Sequence, residues 1–322
     1  MLYLNTKHIE EMGVNWSETI HVIRDAVQNY QLGHYSQPIK PYLRFKDLTN
    51  RIIAMPAYIG GDFESVGLKW IASFPKNIEQ GIQRAHSVNL INDPDTGKLL
   101  ATLHTAIVSG IRTASVSGLI IQECEKIRHL HEIKLGIIGF GPIGQLHLQM
   151  AHSLLGDQIS TVYLYDINGV KQEKIPEEMR SKTKIVDSYE QAYEDADIFI
   201  TCTVSKERYV DKKPKDGALL LNISLRDFTP AILDYNPLVI VDNWEEVCRE
   251  NTDIEVMHRE NNLQQEDSLS IVDVVCNRIL QEQPLERTIF FNPMGMAIFD
   301  VAISSYYYRL AQKNGIGVQL ED

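Results

Sequence analysis

The sequence predicts an α/β protein of two domains, one built on a doubly wound parallel sheet and the other a discontinuous α+β domain. With 322 residues and 44% hydrophobic content, the chain is long enough to form two cores. From residue 134 onward, short apolar runs alternate with polar segments that suit helices. Earlier residues mix helix and strand patterns. We therefore place the α+β domain at 1–125 and 301–322, and the parallel-sheet domain at 126–300.

The α+β domain begins with a capped amphipathic helix. Ser17 is its predicted N-cap and Gly33 follows its end, with apolar residues at helical spacing between them. Strand patterns follow at 51–55, 66–74, 88–92 and 99–103. The residues at 93–97, Asp-Pro-Asp-Thr-Gly, suit a hairpin turn between the last two strands. Segment 106–122 is short for a membrane span and carries Arg112 near its centre, so we expect a buried helix.

The parallel-sheet domain is predicted from apolar runs that are short enough to be buried strands. These runs lie at 135–138, 162–165, 198–201, 218–223 and 238–241. A last strand pattern at 288–291 leads into a helix at 294–312. We expect this helix to return to the α+β domain and make it discontinuous.

Charge and cysteine content exclude several classes of protein. The net charge of −12 disfavours binding to nucleic acid or anionic membranes over an extended surface, because that binding needs a basic surface. The four cysteines include no Cys-x-x-Cys pair, and His129 and His131 have no third ligand nearby, so no metal site is predicted. Residues 1–10 lack the pattern of a secretory signal. We therefore expect a cytoplasmic protein with reduced thiols.

A glycine motif follows the first strand of the parallel-sheet domain. The residues are Gly139-Phe140-Gly141-Pro142-Ile143-Gly144, directly before a helical segment at 145–155. This Gly-x-Gly-x-x-Gly pattern allows a tight turn, a close approach to a pyrophosphate and tight packing of helix on strand. Pro142 suits the first turn of the helix. In this context the motif predicts a Rossmann-type domain that binds a dinucleotide, whereas a glycine pattern alone could be only a turn.

Two further segments extend the predicted cofactor site. Asp166 ends the second strand, where a carboxylate would bind the adenosine ribose and repel a 2′-phosphate, so NAD is favoured over NADP. Thr201, Cys202 and Thr203 end a later strand of the same sheet and are expected to line the adenosine side. Asp166 could instead be a surface carboxylate, and the threonines could be structural.

Three cations of the α+β domain stand out against the acidic composition. Lys69 and Arg112 lie in apolar segments, and Arg44 follows Pro41-Tyr42-Leu43. A buried guanidinium is costly unless it meets an anion, and arginine suits bidentate binding of a carboxylate. The alternatives are a structural salt bridge for Arg112, a strand-edge lysine for Lys69 and a surface position for Arg44.

The order of several motifs resembles that of the ornithine cyclodeaminase/μ-crystallin family. The resemblance spans essentially the whole chain. Its motifs are Met55-Pro56-Ala57-Tyr58, Gly67-Leu68-Lys69, Phe74-Pro75-Lys76-Asn77, Asn92-Asp93-Pro94-Asp95-Thr96-Gly97, Ile111-Arg112-Thr113-Ala114-Ser115 and the glycine loop. It implies a homodimer with an N-terminal substrate and dimerisation domain and an NAD-binding domain.

The resemblance also implies roles for individual residues. Arg44, Lys69 and Arg112 would bind the carboxylate of an amino-acid-derived substrate, and Lys69 and Asp227 would be the catalytic residues. Asp227 could instead cap a helix. Arg84 could bind an additional substrate carboxylate or be solvated, and Asp300 is expected to assist the dimer or the cofactor.

Motifs at 37–44, 201–204, 222–224 and 292–298 resemble one branch of the family more specifically. That branch oxidises and hydrolyses N-(2-amino-2-carboxyethyl)-L-glutamate to L-2,3-diaminopropionate and 2-oxoglutarate in siderophore biosynthesis. Ile53 stands where ornithine-cyclising members have an acidic residue, which disfavours ornithine. The glycine loop also lacks the common Gly-Ala-Gly-x-Gln-Ala form. Ornithine cyclodeaminase, alanine dehydrogenase, ketimine reductase and a non-catalytic nucleotide-binding protein remain alternatives.

Overall fold

The computed structural model describes residues 1–128 and 130–321, so His129, for which no metal site was predicted, lies outside them. The strands are β1 (Leu2–Asn5), β2 (Tyr35–Ser36), β3 (Tyr42–Leu43), β4 (Arg51–Ile59), β5 (Ser65–Ser73), β6 (Ala85–Asn92), β7 (Leu99–His104), β8 (Ile133–Ile138), β9 (Ile159–Tyr165), β10 (Thr183–Ile185), β11 (Ile198–Thr201), β12 (Leu219–Asn222), β13 (Leu238–Val241), β14 (Ser268–Ser270), β15 (Ile289–Asn292) and β16 (Val318–Gln319).

The α-helices are α1 (Thr6–Met12), α2 (Trp16–Gln31), α3 (Ile107–Glu125), α4 (Pro142–Leu155), α5 (Glu177–Arg180), α6 (Tyr189–Tyr193), α7 (Trp244–Val247), α8 (Asp253–Asn261), α9 (Ile271–Val275) and α10 (Ala297–Asn314). In the part of the chain that the structure describes, no helix is both long enough and apolar enough to cross a bilayer.

The chain forms two compact units. The first unit comprises Met1–Arg112 and Gly295–Asp322, and the second comprises Thr113–Met294. The sequence-based boundaries, after residues 125 and 300, lie further along the chain. One observed boundary falls within α3, and the other falls just before α10.

The first unit is built on a mixed sheet in the order β16-β1-β7-β6-β5-β4-β2, with β3 also paired to β4. Strands β4 to β7 are antiparallel neighbours, whereas β1 pairs with β7 in parallel. Helices α2 and α10 pack on each other, and α10 also packs on β4, β5 and β6. The buried helix predicted at 106–122 is confirmed as α3.

The start of α2 differs from the prediction. Asn15, not Ser17, is the N-cap, and its side chain accepts a hydrogen bond from the backbone N–H of Glu18. Either residue type can cap a helix, and Asn15 lies one position before Trp16, which is buried and fixes the first turn. Gly33 follows the helix with a φ of 73°, as predicted for a residue after the C-cap.

The second unit contains a fully parallel sheet in the order β10-β9-β8-β11-β12-β15-β13-β14. The α/β prediction is therefore confirmed. From β8, the chain moves outward through β9 to β10 and then returns to the other side at β11, so the direction of winding reverses between β8 and β11. In open α/β sheets, ligands bind beyond the carboxyl ends of the strands at such a reversal.

Candidate functional site

A buried ion cluster in the first unit joins two of the predicted substrate residues. The Lys69 ammonium on β5 donates hydrogen bonds to Ser109 Oγ at 2.6 Å and to Asp300 Oδ1 at 3.0 Å. The Arg112 Nε donates to the same Asp300 oxygen at 3.0 Å. Lys69 is 3% exposed, Arg112 7% and Asp300 1%. Two cations thus share one carboxylate oxygen away from solvent.

Burial and charge act in opposite directions within this cluster. Burial lowers the pKa of Lys69 to about 8, and Arg112 adds to that effect, while Asp300 opposes it. Burial alone would raise the pKa of Asp300, but Arg112 and Lys69 outweigh it and hold that pKa below its usual value. Asp300 is therefore ionised and Lys69 titrates close to physiological pH.

The second oxygen of Asp300 and the backbone at Gly295 complete the cluster. Asp300 Oδ2 has no hydrogen-bond partner among the described residues. The Lys40 ammonium donates to the Gly295 carbonyl at 2.7 Å. Gly295 has a φ of 84°, and a Cβ on it would lie 2.4 Å from Arg112 Nη1, so the guanidinium packs against this glycine. Lys69, Arg112 and Asp300 together carry a formal net charge of +1, which a buried site tolerates best with a bound anion.

Arg44 and Arg84 occupy a different part of the same sheet. Arg44 is exposed, and its guanidinium carbon lies 5.6 Å from the centre of the Tyr42 ring. The Arg84 Nη1 donates to Ser73 Oγ at 3.2 Å, at the end of β5. The structure thus brings Lys69 and Arg112 together and places Arg44 and Arg84 towards the ends of β3 and β5.

The glycine loop of the second unit has the shape of a phosphate-binding turn. Gly139 has a φ of 81°, and a Cβ on it would lie 2.6 Å from the Cys202 backbone. A Cβ on Gly144 would lie 2.2 Å from the Gly139 carbonyl oxygen, so α4 packs tightly on β8. At Gly141, a Cβ would meet nothing within 4 Å, and this residue caps α4 without a side-chain hydrogen bond. The open N-terminus of α4 therefore fits a pyrophosphate.

Pro142 and Ile143 form the exposed start of this helix. Pro142 is exposed, Ile143 is half-buried, and Pro142 occupies the first turn as predicted. Neither side chain blocks the helix N-terminus with a polar cap, which leaves the first backbone N–H groups available to an anion.

Asp166 has a structural role that the sequence did not indicate: its carboxylate binds backbone N–H groups. Its Oδ2 accepts the backbone N–H of Phe140 at 2.7 Å, and its Oδ1 accepts that of Asn168 at 2.9 Å. The half-buried carboxylate therefore holds the glycine loop against the end of β9. A carboxylate offers about four lone-pair sites, so Asp166 can also accept hydrogen bonds from ribose hydroxyls.

Thr201 and Cys202 lie where β11 meets the glycine loop. The Cys202 N–H donates to the Ile138 carbonyl at 2.7 Å, which places Cys202 beside Gly139. The Thr201 hydroxyl donates to Asn222 Oδ1 at 3.1 Å and is 2.7 Å from Ser224 Oγ. Burial raises the pKa of the Cys202 thiol, so Cys202 is neutral.

Asp227 is fully buried at the carboxyl edge of the same sheet. The Thr203 hydroxyl donates to its Oδ1 at 2.5 Å, and the Ser224 hydroxyl donates to its Oδ2. Thr203 is half-buried, so its hydroxyl forms the more accessible end of this chain of hydrogen bonds. Asp227 does not cap a helix, which was the alternative. The N-cap of the 3-10 helix that follows, Pro230–Tyr235, is Thr229.

Asp253 holds the backbone around Asp227. Its Oδ2 accepts the backbone N–H groups of Asp227 at 3.1 Å and Phe228 at 3.0 Å, while its Oδ1 pairs with Arg208 Nε at 2.6 Å. Burial raises the pKa of Asp253 to about 6, although the hydrogen bonds and Arg208 oppose that rise. Leu225 lies within this loop at a φ of 61°, a left-handed conformation that is uncommon for a large side chain.

Sequence reasoning missed several residues of these networks. It assigned Asp300 to the dimer or the cofactor, whereas the structure pairs it with Lys69 and Arg112. The signal was available, because Asp300 lies in the apolar segment 297–303, just as Arg112 lies in an apolar helix. Lys40, Ser109 and Asp253 carry no comparable signal. No group of three or more metal-binding side chains was found in 1–128 and 130–321.

The low pKa of Lys69 predicts how stability depends on pH. The folded chain releases this proton near pH 8, whereas the unfolded chain releases it near the usual value of 10.5. Raising the pH from 8 to 10.5 therefore favours the folded state through Lys69, by up to about 3 kcal/mol. We expect the stability of the wild type relative to Lys69→Met, from chemical denaturation, to increase over this range. If the difference in stability between the two proteins stays constant or falls over this range, Lys69 does not have a lowered pKa in the folded chain.

Comparisons with known proteins agree with this architecture. A model of the ornithine cyclodeaminase/mu-crystallin family matches residues 3–315. The chain is 30% identical to the N-((2S)-2-amino-2-carboxyethyl)-L-glutamate dehydrogenase of Staphylococcus aureus, over 99% of this chain and 98% of that one.

Two solved structures share the fold. The Delta(1)-pyrroline-2-carboxylate reductase of Thermococcus litoralis, in complex with NADH and L-proline, has a TM-score of 0.89 at 23% identity, covering 99% of this chain and 100% of that one. An archaeal alanine dehydrogenase dimer with bound NAD has a TM-score of 0.83 at 22% identity, covering 100% and 99%. With the family model matching nearly the whole length, the chain belongs to the ornithine cyclodeaminase/mu-crystallin family.

Proposed function

We propose that this protein is an NAD-dependent enzyme that oxidises and hydrolyses N-(2-amino-2-carboxyethyl)-L-glutamate to L-2,3-diaminopropionate and 2-oxoglutarate. The observation that carries the proposal is the buried Lys69–Asp300–Arg112 cluster with its excess positive charge. The name of the staphylococcal relative supports the substrate. Such a reaction would serve the synthesis of a siderophore or a related secondary metabolite.

The first unit would bind the substrate. Lys69 and Arg112 would hold the α-carboxylate of the glutamate portion, because an anion there offsets the excess charge of the cluster. Asp300 fixes both cations before the substrate arrives. Arg44, exposed beside the Tyr42 ring at the end of β3, would have to turn from that ring to add a further hydrogen bond to the carboxylate.

The second unit would bind NAD. The N–H groups at the start of α4 would bind the pyrophosphate, the open space at Gly141 would admit it, and Asp166 would bind the adenosine ribose. Thr201, Cys202 and Thr203 would line the neighbouring strand edge. NAD, when bound, supplies the acceptor for the hydride that leaves the substrate Cα.

Asp227 would act as the general base of the reaction. Loss of the hydride and of the amine proton converts the C–N bond of the substrate to an imine, and water then adds to the imine carbon. Asp227, which accepts the Thr203 hydroxyl, would accept a proton from the amine or from the water. Cleavage of the C–N bond then releases the amine and the keto acid. Lys69, with a pKa of about 8, can also exchange a proton near neutral pH.

The central test is a reaction with purified protein, NAD and N-(2-amino-2-carboxyethyl)-L-glutamate. We expect NADH to appear, with diaminopropionate and 2-oxoglutarate in equal amounts. Activity with ornithine, alanine or a cyclic ketimine instead would assign the protein to another reaction of the family. NAD binding without turnover of any of these compounds would indicate a nucleotide-binding protein.

The role of Asp227 predicts a selective loss of turnover. Asp227→Asn keeps the size of the side chain but removes its basicity, so we expect kcat to fall by about 100-fold or more with unchanged affinity for NAD. Asp234→Asn is the matched control, because Asp234 is exposed in the same unit, and it should behave like the wild type. Full activity of Asp227→Asn would remove Asp227 from the mechanism.

We also propose a homodimer that forms through the open face of the first sheet. Strand alternation turns Leu68 and Trp70 to the face opposite Lys69, where Trp70 is 43% exposed. Their cross-strand neighbours on that face are all apolar: Ala54, Pro56, Val88 and Leu90. A large, half-exposed apolar sheet face is typical of an interface between protein chains.

Trp70→Asp tests this interface. A buried charge at the centre of the face should convert a dimer to a monomer, measured by light scattering after size-exclusion chromatography. Ile167→Asp is the control, since Ile167 is 85% exposed in the second unit and should leave the dimer intact. A monomeric wild type, or a dimer that survives Trp70→Asp, would reject the proposed interface.

A further inference from the structure

Asp227 lies where two loops at the carboxyl edge of the parallel sheet meet. The loop after β12 carries it, and the loop after β11 binds its backbone. The N–H groups of Tyr209 and Val210 donate to the Asp227 carbonyl at 2.9 and 2.8 Å. Val210 also forms an isolated parallel bridge with Phe228. The position of Asp227 therefore depends on the residues that hold these two loops together.

Asp253 joins a third segment to the loop after β12. It is the first residue of α8 and is buried, with 1% of its surface exposed. Its N–H donates to the Leu225 carbonyl at 2.8 Å. Its Oδ2 accepts hydrogen bonds from Asn222 Nδ2 at 2.9 Å and from the N–H groups of Asp227 at 3.1 Å and Phe228 at 3.0 Å. Asp253 is thus bonded to both ends of the loop that carries Asp227.

Arg208, in the loop after β11, is the counterion of this buried carboxylate. Its Nε donates to Asp253 Oδ1 at 2.6 Å, and its Nη2 donates to the Asn251 carbonyl at 2.7 Å. The Asp253 side chain is 0% exposed, whereas the Arg208 side chain is 17% exposed. The guanidinium therefore links the loop after β11 to the segment that carries Asp253.

The charge of Asp253 decides how strongly its carboxylate holds the loop. Burial raises the pKa of Asp253 to about 6, whereas the hydrogen bonds from Asn222 and Phe228 and the charge of Arg208 oppose that rise. An ionised carboxylate accepts stronger hydrogen bonds than a neutral acid, which also uses one oxygen to carry its proton. Removal of Arg208 would leave the carboxylate buried without its cation and so favour the neutral acid. The backbone at Asp227 would then lose its charged acceptor.

We infer that Arg208 and Asp253 are positioning residues for Asp227, because they hold its loop in the conformation from which its carboxylate acts. The inference rests on the proposed function only for the role of Asp227 as general base. The carboxylate of Asp227 accepts the hydroxyls of Thr203 and Ser224, one from each of the two loops. A change in either loop displaces one of these donors and moves the carboxylate. The pair therefore affects turnover more than substrate binding.

Arg208→Gln tests the pair through turnover. With the substrate that the wild type oxidises, we expect kcat to fall by about tenfold or more, while KM and the affinity for NAD stay within about twofold. Arg208→Lys keeps the charge but cannot reproduce the two hydrogen bonds of the guanidinium, so its kcat should lie between those of Arg208→Gln and the wild type.

Arg128→Gln is the matched control for Arg208→Gln. Arg128 is half-buried in the same unit and donates to the carbonyls of Gly217 and Arg287, which precede β12 and β15 at the opposite edge of the sheet. Its loss removes an arginine that binds backbone without touching the loops around Asp227. We expect Arg128→Gln to keep the wild-type kcat, even if its melting temperature falls.

Amide hydrogen exchange tests the pair without any substrate. The N–H groups of Asp227 and Phe228 are bonded to Asp253, so we expect the peptide that contains them to exchange about tenfold faster in Arg208→Gln, measured by mass spectrometry. In Arg128→Gln this peptide should exchange as in the wild type. If Arg208→Gln does not fold, Arg208→Lys allows the same comparison with a smaller expected effect.

Each outcome decides the inference. A wild-type kcat in Arg208→Gln, a change in KM alone, wild-type exchange at the loop, or an equal fall of kcat in Arg128→Gln would overturn it. If no compound is turned over but exchange at the loop depends on Arg208, the pair still positions Asp227 and the proposed reaction fails. Turnover of N-(2-amino-2-carboxyethyl)-L-glutamate that Arg208→Gln does not affect would leave the reaction standing and remove the positioning role.

Discussion

The arrangement of the first unit depends on one buried carboxylate. Asp300 accepts hydrogen bonds from Lys69 and Arg112 through a single oxygen, and so ties β5, α3 and α10 together at one point. Without it, two cations would remain buried with no counterion, and breaking a buried ion pair in this way typically costs about 3–5 kcal/mol. The same contact places both cations at fixed positions, so the element that stabilises the unit also shapes its candidate anion site.

The second unit uses carboxylates in a related way, but mainly to hold backbone. Asp166 fixes the glycine loop through the Phe140 N–H, and Asp253 fixes the loop at Asp227 through two successive N–H groups. Such hydrogen bonds to a charged acceptor are stronger than those between neutral groups. They can maintain the left-handed conformation of Leu225, whose carbonyl accepts the Asp253 N–H at 2.8 Å. Rigid loops at the carboxyl edge of the sheet are what a preorganised site requires.

The sequence predicted features that depend on local pattern and missed those that depend on distant contacts. Strands β11 and β13 and the turn into α4 follow from short apolar runs and glycine spacing, which are local. Arg112 stood out because charge is rare in an apolar helix. The short edge strands β10 and β14 were missed, since three residues give too little periodicity. The partner of Lys69 was also missed, because chain pattern does not reveal which residue meets it 231 positions away.

The discontinuity of the first unit has a consequence for biosynthesis. A ribosome delivers Lys69 and Arg112 long before Asp300, and the whole second unit is made in between. The second unit is continuous, so it can fold as the chain emerges, whereas the first sheet waits for α10 to cover it. Contacts of such large sequence separation form slowly. Until α10 has been made, Lys69 and Arg112 therefore lack the carboxylate that pairs with them, and the sheet face that α10 covers is exposed.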